Sequence, residues 1–323
     1  MKQTEIILSA TEIKAEAQRL GFYSCGIAPA EPVAEEHRRY FEDWLQQEAY
    51  GSMDYLANHA AMRFDPRELV PGTRSIVCVA LNYYPSEFMD EQEGCLSWYA
   101  YGKDYHEVMK DKLRRLMAYI LNLVPEDAQA EILPGRVFCD TAPVLERYWA
   151  WKAGLGWIGR NHQLIIPQAG STFFLGEIFL TLPVDSYDSP QKNRCGHCRK
   201  CLDACPTRAL TAERFDARRC LSYLTIENRD EIPQWAAPHM EPCFYGCDRC
   251  QASCPHLRFA RPTQEKEFHL REELKQMTRQ QWQQLSVEDY RKLFRGSAVK
   301  RAKYEGLMRN IRAMNHPDQE LTE

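Results

Sequence analysis

The sequence lacks the features of an exported or membrane-spanning protein. Neither a basic segment ahead of a long apolar run nor a pair of arginines occurs in its opening residues, MKQTEIILSATEIKAEAQRL. No later window approaches about 18 uninterrupted apolar residues. We therefore expect a cytoplasmic protein, in which the reducing thiol pool disfavours disulfides. Its 13 cysteines are then not expected to pair with one another, and those that cluster in sequence are expected to bind metal.

The sequence also lacks a strong net charge and an internal repeat of useful length. With 45 acidic and 41 basic side chains, the net charge is −4, so any nucleic-acid binding has to come from a local patch. A chain of 323 residues is long enough to bury a sizeable core and to form two or three domains.

The N-terminal part of the chain alternates helical and strand patterns. Ile13, Ala17 and Leu20 share one helical face, Thr11 is a candidate cap, and Gly21 stands where a glycine commonly ends a helix. Further helices are predicted over about 35–47, 104–123 and 144–154, and strands over 75–84, 136–140 and 172–182. The alternation predicts a mixed α+β or layered α/β domain.

The rest of the chain differs in character. Proline, glycine and aspartate surround nine cysteines between residues 186 and 258, and three helical patterns follow from about residue 265. We predict three domains: an α/β domain (1–185), a cysteine-rich, ferredoxin-like domain (186–262) and a short helical tail (263–323).

One cysteine run has the spacing of an iron-sulfur ligand set. RCGHCRKCLDACP follows C-x2-C-x2-C-x3-C-P, with which bacterial two-cluster ferredoxins bind one cluster through three thiolates and a second cluster through the fourth. A structural zinc site shares the C-x2-C step, but a third cysteine at the same spacing followed by C-P is not typical of it. We predict that Cys195, Cys198 and Cys201 bind cluster 1 and that Cys205 crosses to cluster 2.

The later run, YGCDRCQASCP, is one cysteine short. Cys247 and Cys250 fit cluster 2, and Cys254, which precedes a proline, fits the ligand that crosses to cluster 1. By position alone the missing thiolate is either Cys220 or Cys243. The other cysteines are interpreted as buried small hydrophobic residues or bystanders: Cys25, Cys78, Cys95 and Cys139.

Several segments together resemble one known family, epoxyqueuosine reductase, which completes queuosine synthesis on tRNA and is related to reductive dehalogenases. In order they are MRFDPRELVPGTRSIV, YAYGKDYHEVM, CDTAPVLER, AGLGWIGRNHQLI, RRCLSYLTIE, YGCDRCQASCP and FRGSAVKRAKYEGLMRN. The resemblance implies two [4Fe-4S] clusters with Cys220 as the detached ligand, a HEAT-like helical tail, and an epoxyqueuosine-bearing tRNA as substrate. It also implies that residues 1–185 form the cobalamin-binding catalytic domain. The cobalamin would lie between this domain and the cysteine-rich domain, base-off and without a protein lower ligand.

Asp140 in CDTAPVLER is the candidate general acid. From the residues alone, a cap on the following helix is the more common role of such an aspartate. The resemblance implies a proton donor instead, and we expect its carboxyl to be desolvated, since burial raises the pKa of an acid. The two electrons would come singly through the clusters from a flavodoxin- or ferredoxin-type donor.

The resemblance also implies a set of cobalamin contacts. They are Arg63, Lys103, Asp104, Asn161, Ser222 and Asp248, whose ordinary alternatives are surface salt bridges, caps and solvated positions. His106 is not expected to ligate cobalt, because Met109 stands where the cobalt-binding pattern D-x-H-x-x-G has its glycine.

A basic window near the C-terminus supplies the local patch that the net charge demands. Residues 291 to 312 carry +7, so the rest of the chain carries −11. The predicted tRNA contacts are Arg295, Lys300, Arg301 and Lys303, which would bind phosphates without reading bases; on sequence alone, a solvated basic helix is the alternative. We expect a monomer, and the alternative functions are a reductive dehalogenase-like cobalamin enzyme and an electron-transfer ferredoxin.

Overall fold

The structure is a computed structural model and describes residues 6–126 and 135–315. Its strands are β1 (Ser24–Pro29), β2 (Ser75–Asn82), β3 (Cys95–Leu96), β4 (Arg136–Phe138), β5 (Trp157–Ile158), β6 (Leu164–Ile165), β7 (Phe173–Leu180) and β8 (Cys243–Tyr245). Its α-helices are α1 (Ala10–Arg19), α2 (Glu35–Gln46), α3 (Ala60–Phe64), α4 (Pro66–Leu69), α5 (Tyr105–Asn122), α6 (Glu146–Lys152), α7 (Lys200–Asp203), α8 (Leu221–Ile226), α9 (Arg249–Ala252), α10 (Glu272–Lys275), α11 (Arg279–Gln283), α12 (Val287–Leu293) and α13 (Lys303–Asn315).

A four-stranded sheet in the order β1-β2-β7-β4 forms the framework of the N-terminal part. All three neighbouring pairs are antiparallel. The two central strands have long apolar runs and are almost entirely buried, because helices cover both faces of the sheet. The three strands predicted from sequence are present, whereas β1, which contains a glycine and ends in a proline, was not predicted.

The two faces of the sheet pack against different helices. On β2, Val77 and Val79 join α1 and α5 in one apolar cluster, while Ile76 and Cys78 join α6 in another. The side-chain alternation of a strand produces this division. Both helices flanking the first face, and α2 and α6, lie within a few residues of their predicted positions.

The cap of α1 differs from the prediction. Ser9, in an extended conformation, accepts a hydrogen bond from the backbone nitrogen of Glu12, so it caps the helix in place of Thr11, which lies inside it. Gly21 has φ +90° directly after the helix, a conformation that favours glycine, and this part of the prediction is confirmed.

A third apolar cluster connects all three predicted domains. It contains Leu96 and Tyr101 from the N-terminal part, Phe244 from the cysteine-rich segment, and Trp282 and Ile311 from the tail. The domain boundaries stay a prediction, but the packing crosses them. In the described part of the chain, no helix is long and apolar enough to cross a membrane.

Cys95 and Cys243 form a disulfide, which corrects two expectations. The cysteines face each other where β3 and β8 pair in parallel, with their Cα atoms 4.6 Å apart. The expectation that the cysteines would not pair with one another, and the interpretation of Cys95 as a bystander, are therefore wrong for this pair. The sulfur of Cys243 is occupied, which leaves Cys220 as the candidate for the detached cluster ligand.

The predicted last helix is divided in two. Ala298–Ala302 forms a 3-10 helix capped by Ser297, and α13 begins at Lys303, which has φ +60°. Lys300 and Arg301 therefore do not share one α-helical turn with Lys303, as the sequence pattern suggested. The tail also packs on the N-terminal part, since the carbonyl of Gly296 accepts a hydrogen bond from the backbone nitrogen of Asp104 at 2.7 Å.

Candidate functional site

Asp140 lies on the turn that follows β4, beside the N-terminus of α5. Its φ of +51° places it in the left-handed region, and the hydroxyl of Tyr105 donates a hydrogen bond to its Oδ2. The Tyr105 ring is stacked on Phe174 with 4.3 Å between ring centroids, which fixes the position of the hydroxyl. The carboxylate is 58% exposed, so the expectation of a desolvated Asp140 is wrong for this structure.

Asp140 does not cap the helix that follows it. The residue before α6 is Leu145, which provides no side-chain cap. Instead, the side chain of the first helical residue binds the turn: Glu146 Oε1 accepts a hydrogen bond from the backbone nitrogen of Asp140 at 2.5 Å. The common structural role of such an aspartate is therefore absent, and its carboxylate is available for chemistry.

A histidine and a second aspartate flank Asp140. His106 Nε2 is 3.7 Å from Asp140 Oδ2, and His106 Nδ1 is 2.7 Å from Asp104 Oδ1. Asp104 also caps α5 by accepting from the backbone nitrogen of His106. Burial acts to raise the pKa of Asp104, but the hydrogen bonds from His106 outweigh it and lower the pKa. Asp104 thus orients His106 toward Asp140.

Two carboxyl groups lie behind Asp140, those of Glu177 and of the half-buried Glu146, and sequence reasoning missed both. Glu177 on β7 is fully buried, and neither of its carboxyl oxygens has a hydrogen-bond partner. Burial and the neighbouring Glu146 and Asp140 raise its pKa well above the ordinary range. A glutamate inside the apolar run FLGEIFL was the available signal, because an unpaired acid is rarely placed in a core strand.

Eight of the cysteines lie in two sets of four, which have the same members as the two proposed ligand sets. A cavity of about 50 Å³ is lined by the surface set: Cys195, Cys198, Cys201 and Cys254. Burial is the largest cause of the raised pKa of Cys201, and the nearby Cys195 and Cys254 raise it further. The pKa of Cys254 is likewise raised by burial and by Cys195 and Cys198. The thiol that sequence spacing assigned as a crossing ligand, Cys254, thus joins the three cysteines of the earlier run.

The second group, called the inner set, contains Cys205, Cys220, Cys247 and Cys250, and burial is the largest cause of the raised pKa of the last three. Burial raises the pKa of Cys247 to about 12 and that of Cys250 well above its ordinary value. Cys205 and Cys220 both add to the shift at Cys250, which places all four thiols together. Helices α7 and α9, one from each run, pack against each other and bring the two runs into contact.

The donor chemistry of both sets suits an iron-sulfur cluster, because four thiolates are the usual ligands of a [4Fe-4S] cubane. In the described residues, no group of three or more His, Cys, Asp or Glu side chains is arranged to hold a single metal ion. Two guanidinium groups border the surface set. Arg160 donates to the carbonyl of Gly196 at 2.9 Å, and Arg194 lies 5.9 Å from the ring centre of Trp157.

Two predicted cobalamin contacts have buried donor atoms without partners. Arg63 is 6% exposed; its Nη2 donates to the carbonyl of Tyr55 at 3.0 Å, while Nε has no partner. Asn161 is also buried, and its Nδ2 has none either. Unsatisfied buried donors are costly, so both residues fit a bound group that offers acceptor oxygens.

The other predicted contacts are placed less directly. Lys103 is 3.7 Å from Glu107 and partly exposed, and Ser222 lies in the first turn of α8, directly after Cys220. Asp248 is buried, and its carboxylate accepts from Ser97 Oγ and the backbone nitrogen of Trp98, each at 2.8 Å. Burial raises the pKa of Asp248 to about 6. Its internal partners make Asp248 a link between the cysteine module and the N-terminal part.

Of the four predicted tRNA contacts, Arg301 lies close enough to Asp140 for their charges to interact. Arg295, Lys300 and Lys303 are exposed. Arg301 forms two hydrogen bonds with Glu227, of 2.9 and 2.7 Å, and Asp140 contributes to its raised pKa. Another arginine of the basic window is structural: Arg309 is buried and donates to the backbone carbonyls of Leu224, Asn228 and Asp230.

Comparisons with known proteins match both halves of this arrangement. Residues 63–141 match the family model described as Epoxyqueuosine reductase QueG, DUF1730, and residues 194–256 match the model described as 4Fe-4S double cluster binding domain. A curated relative from Leadbetterella byssophila, named epoxyqueuosine reductase, is 47% identical over 93% of this chain and 96% of its own length.

Solved structures agree with the sequence matches. A crystal structure of selenomethionine-labelled epoxyqueuosine reductase superimposes with a TM-score of 0.83 at 26% identity, over 94% of this chain and 80% of its own. An epoxyqueuosine reductase with an epoxyqueuosine-modified tRNA-Tyr stem loop gives 0.76 at 26% identity, with the same coverage. On the extent and identity of these matches, the chain belongs to the epoxyqueuosine reductase family of oxidoreductases.

Proposed function

We propose that this protein reduces epoxyqueuosine in tRNA to queuosine, the last step of queuosine synthesis, with Asp140 as general acid. The observation that carries the proposal is an exposed carboxylate, held by Tyr105 beside His106, in the same chain as two sets of four cysteines. This combination supplies a proton donor and two electron relays. An epoxide oxygen leaves only when it is protonated and the carbon receives electrons, so both are required.

Each cysteine set would bind one [4Fe-4S] cluster. The surface set would receive single electrons from a small carrier of the flavodoxin or ferredoxin type, and the inner set would pass them on. Lys192, Arg194 and Lys200 are exposed around the surface set and would attract an acidic carrier. The protein would work as a monomer in the cytoplasm, where such carriers are found.

Cobalamin is the cofactor that the residues would hold between the N-terminal part and the cysteine module. The proposed contacts are Arg63, Lys103, Asp104, Asn161, Ser222 and Asp248. The unpartnered buried nitrogens of Arg63 and Asn161 support the proposal, since propionamide and phosphate oxygens of cobalamin are acceptors. When bound base-off, the corrin cobalt supplies low-potential electron transfer to carbon.

The residues around Asp140 would bind the substrate and control one proton. Tyr105 holds the carboxylate by donating to Oδ2, and Asp104 keeps His106 beside it. Arg295, Lys300, Arg301 and Lys303 would bind tRNA phosphates from the neighbouring tail and bring the modified base to Asp140. The exposed position of Asp140 is suited to a macromolecular substrate that covers the site when it binds.

The test is turnover of epoxyqueuosine-bearing tRNA by the purified, anaerobically reconstituted protein. Asp140→Asn should lower the rate of alkene formation by about 10²- to 10⁴-fold, the usual contribution of a general acid, with iron content and cobalamin binding unchanged. Asp111→Asn, on the exposed face of α5, is the matched control. Undiminished activity of Asp140→Asn would refute the acid assignment. Turnover of a halocarbon instead of the tRNA would favour the dehalogenase-like alternative, and failure to bind cobalamin would favour the ferredoxin alternative.

A further inference from the structure

The proposed reaction consumes more protons than Asp140 carries. Converting an epoxide into an alkene breaks both carbon–oxygen bonds, takes up two electrons and two protons, and releases one water. A single carboxyl group donates one proton and must be protonated again before it can donate the second. On the proposed function, a second proton source must therefore lie near Asp140.

Glu146 is the carboxyl group nearest to the backbone of Asp140. It is the first residue of α6, it is half-buried, and its Oε1 accepts from the Asp140 nitrogen at 2.5 Å. Burial, together with the charge of Asp140, raises the pKa of Glu146 to about 8, although the hydrogen bond from Asp140 and the charge of Arg147 act in the opposite direction. The raised pKa favours the protonated form of Glu146 at neutral pH.

Glu177 lies on the sheet beneath the contact between Asp140 and Glu146. On the sheet it lies between Cys78 of β2 and Phe138 of β4, on the face covered by α6. The ionisable groups that act on it are Glu146 from α6 and Asp140 from the turn; Cys78 is the thiol on this face, whereas Cys139 packs in the apolar cluster of the opposite face. With no partner for either oxygen, an ionised Glu177 would be very costly, so it remains a neutral acid.

We propose that Glu146, with neutral Glu177 behind it, is the proton store that recharges Asp140 during the reaction. After Asp140 has given its proton to the epoxide oxygen, the O–H bond of Glu146 breaks and its proton passes to the Asp140 carboxylate, which then donates it to the departing oxygen. Glu146 regains a proton from solvent. The two electrons come from the reduced one-electron carrier through the clusters, so atoms and charge balance. Glu146 acts through Asp140 and is a positioning and relay residue.

Two neighbours of Asp140 compete for this role. Tyr105 donates to Asp140, but burial and the Asp140 charge raise the pKa of Tyr105 far above the ordinary range, so it retains its proton. His106 lies 3.7 Å from Asp140 Oδ2 and is the remaining rival donor. The experiment must therefore separate Glu146 from His106.

The first test is the pH dependence of turnover. Glu146 is protonated below about pH 8 and loses its proton above it, so the wild-type kcat should fall as the pH rises through this value. Glu146→Gln keeps an acceptor for the Asp140 nitrogen but carries no exchangeable acid proton. It should lower kcat by about 10- to 100-fold with KM unchanged, and the alkaline fall should disappear. Glu36→Gln, exposed on α2, is the control.

The second test does not depend on turnover. Infrared difference spectra of the full, cluster-loaded protein should show a protonated carboxyl band that shifts in D2O, titrates near pH 8 and is absent in Glu146→Gln. If that variant does not fold, the wild-type titration alone decides, because absence of such a band overturns the proposal. An alkaline limb that is unchanged in Glu146→Gln but moved in His106→Gln overturns it as well. Wild-type protein that does not reduce the tRNA refutes the proposed function and leaves the infrared result standing.

Discussion

The cysteine module and the Asp140 site each combine an outer and an inner group of ionisable side chains, but they stabilise the inner group differently. In the cysteine module, the inner thiols lie together with one another, where four thiolates can share a cluster. Beneath Asp140, Glu177 has no partner at all. The difference indicates that the inner thiols would be charged ligands of a bound group, whereas the inner carboxyl stays neutral because nothing compensates its charge.

The largest expected effect comes from removing one inner thiol. Cys220→Ala should lose the inner cluster, about half of the bound iron, and all detectable turnover, because Cys220 completes a set of four. Iron analysis and electron paramagnetic resonance measure the loss. Cys243→Ala should retain both clusters, since Cys243 pairs with Cys95. Equal iron loss in the two variants would contradict the assignment of the inner set.

The next largest effect concerns Glu177, the inner carboxyl group whose charge has no partner. Glu177 is protonated in the folded protein and ionised at neutral pH when unfolded, so folding binds a proton and stability falls as the pH rises above the unfolded pKa. Glu177→Gln removes this dependence. The free energy of unfolding of the variant should exceed that of wild type by about 1.4 kcal/mol for each pH unit above the unfolded pKa of Glu177. At pH 7 the difference should be about 3 kcal/mol. Thermal unfolding between pH 6 and 8 measures the gain; a difference that does not change with pH would show that Glu177 is ionised or paired.

A smaller effect concerns the outer edge of the cysteine module. Lys192→Glu combined with Lys200→Glu should slow reduction of the clusters by an acidic flavodoxin by about tenfold at low salt, and the difference should vanish at high salt. Reduction by dithionite, which needs no protein docking, should be unaffected. When Lys192→Glu and Lys200→Glu are also made one at a time, Lys266→Glu is their charge-matched control, since it lies remote from the cysteines in sequence. Equal slowing with both reductants would indicate damage to the surface cluster instead.

The smallest expected effect distinguishes the two clusters electrostatically. Adding an electron to a cluster adds negative charge, which the guanidinium of Arg194 beside the surface set stabilises. Arg194→Gln should lower the reduction potential of the surface cluster by on the order of tens of millivolts and leave the inner one unchanged. A redox titration followed by electron paramagnetic resonance resolves the two. An equal shift of both potentials would argue against the separate surroundings of the two sets.

The sequence by itself determined those features that depend on spacing along the chain. The C-x2-C-x2-C-x3-C-P run and the later C-x2-C-x3-C run specify seven of the eight proposed ligands, because short loops allow only a few ways to surround one cluster. The buried strands β2 and β7 and the amphipathic helices α1 and α5 were also predictable, since apolar periodicity directly reflects the face that is buried. Segments without strong periodicity, such as β1 and the divided last helix, were missed or misplaced.

Only the tertiary structure decided which distant residues meet. Pairing of β3 with β8 brings Cys95 to Cys243, although 148 residues separate them, and so removes the choice between Cys243 and Cys220. The packing of α6 on β7 brings Glu146 and Glu177 behind Asp140, and the start of α5 places Tyr105 and His106 in front of it. Burial and charge depend on such non-local contacts, so the exposure of Asp140 and the neutral acids behind it could not be read from local sequence.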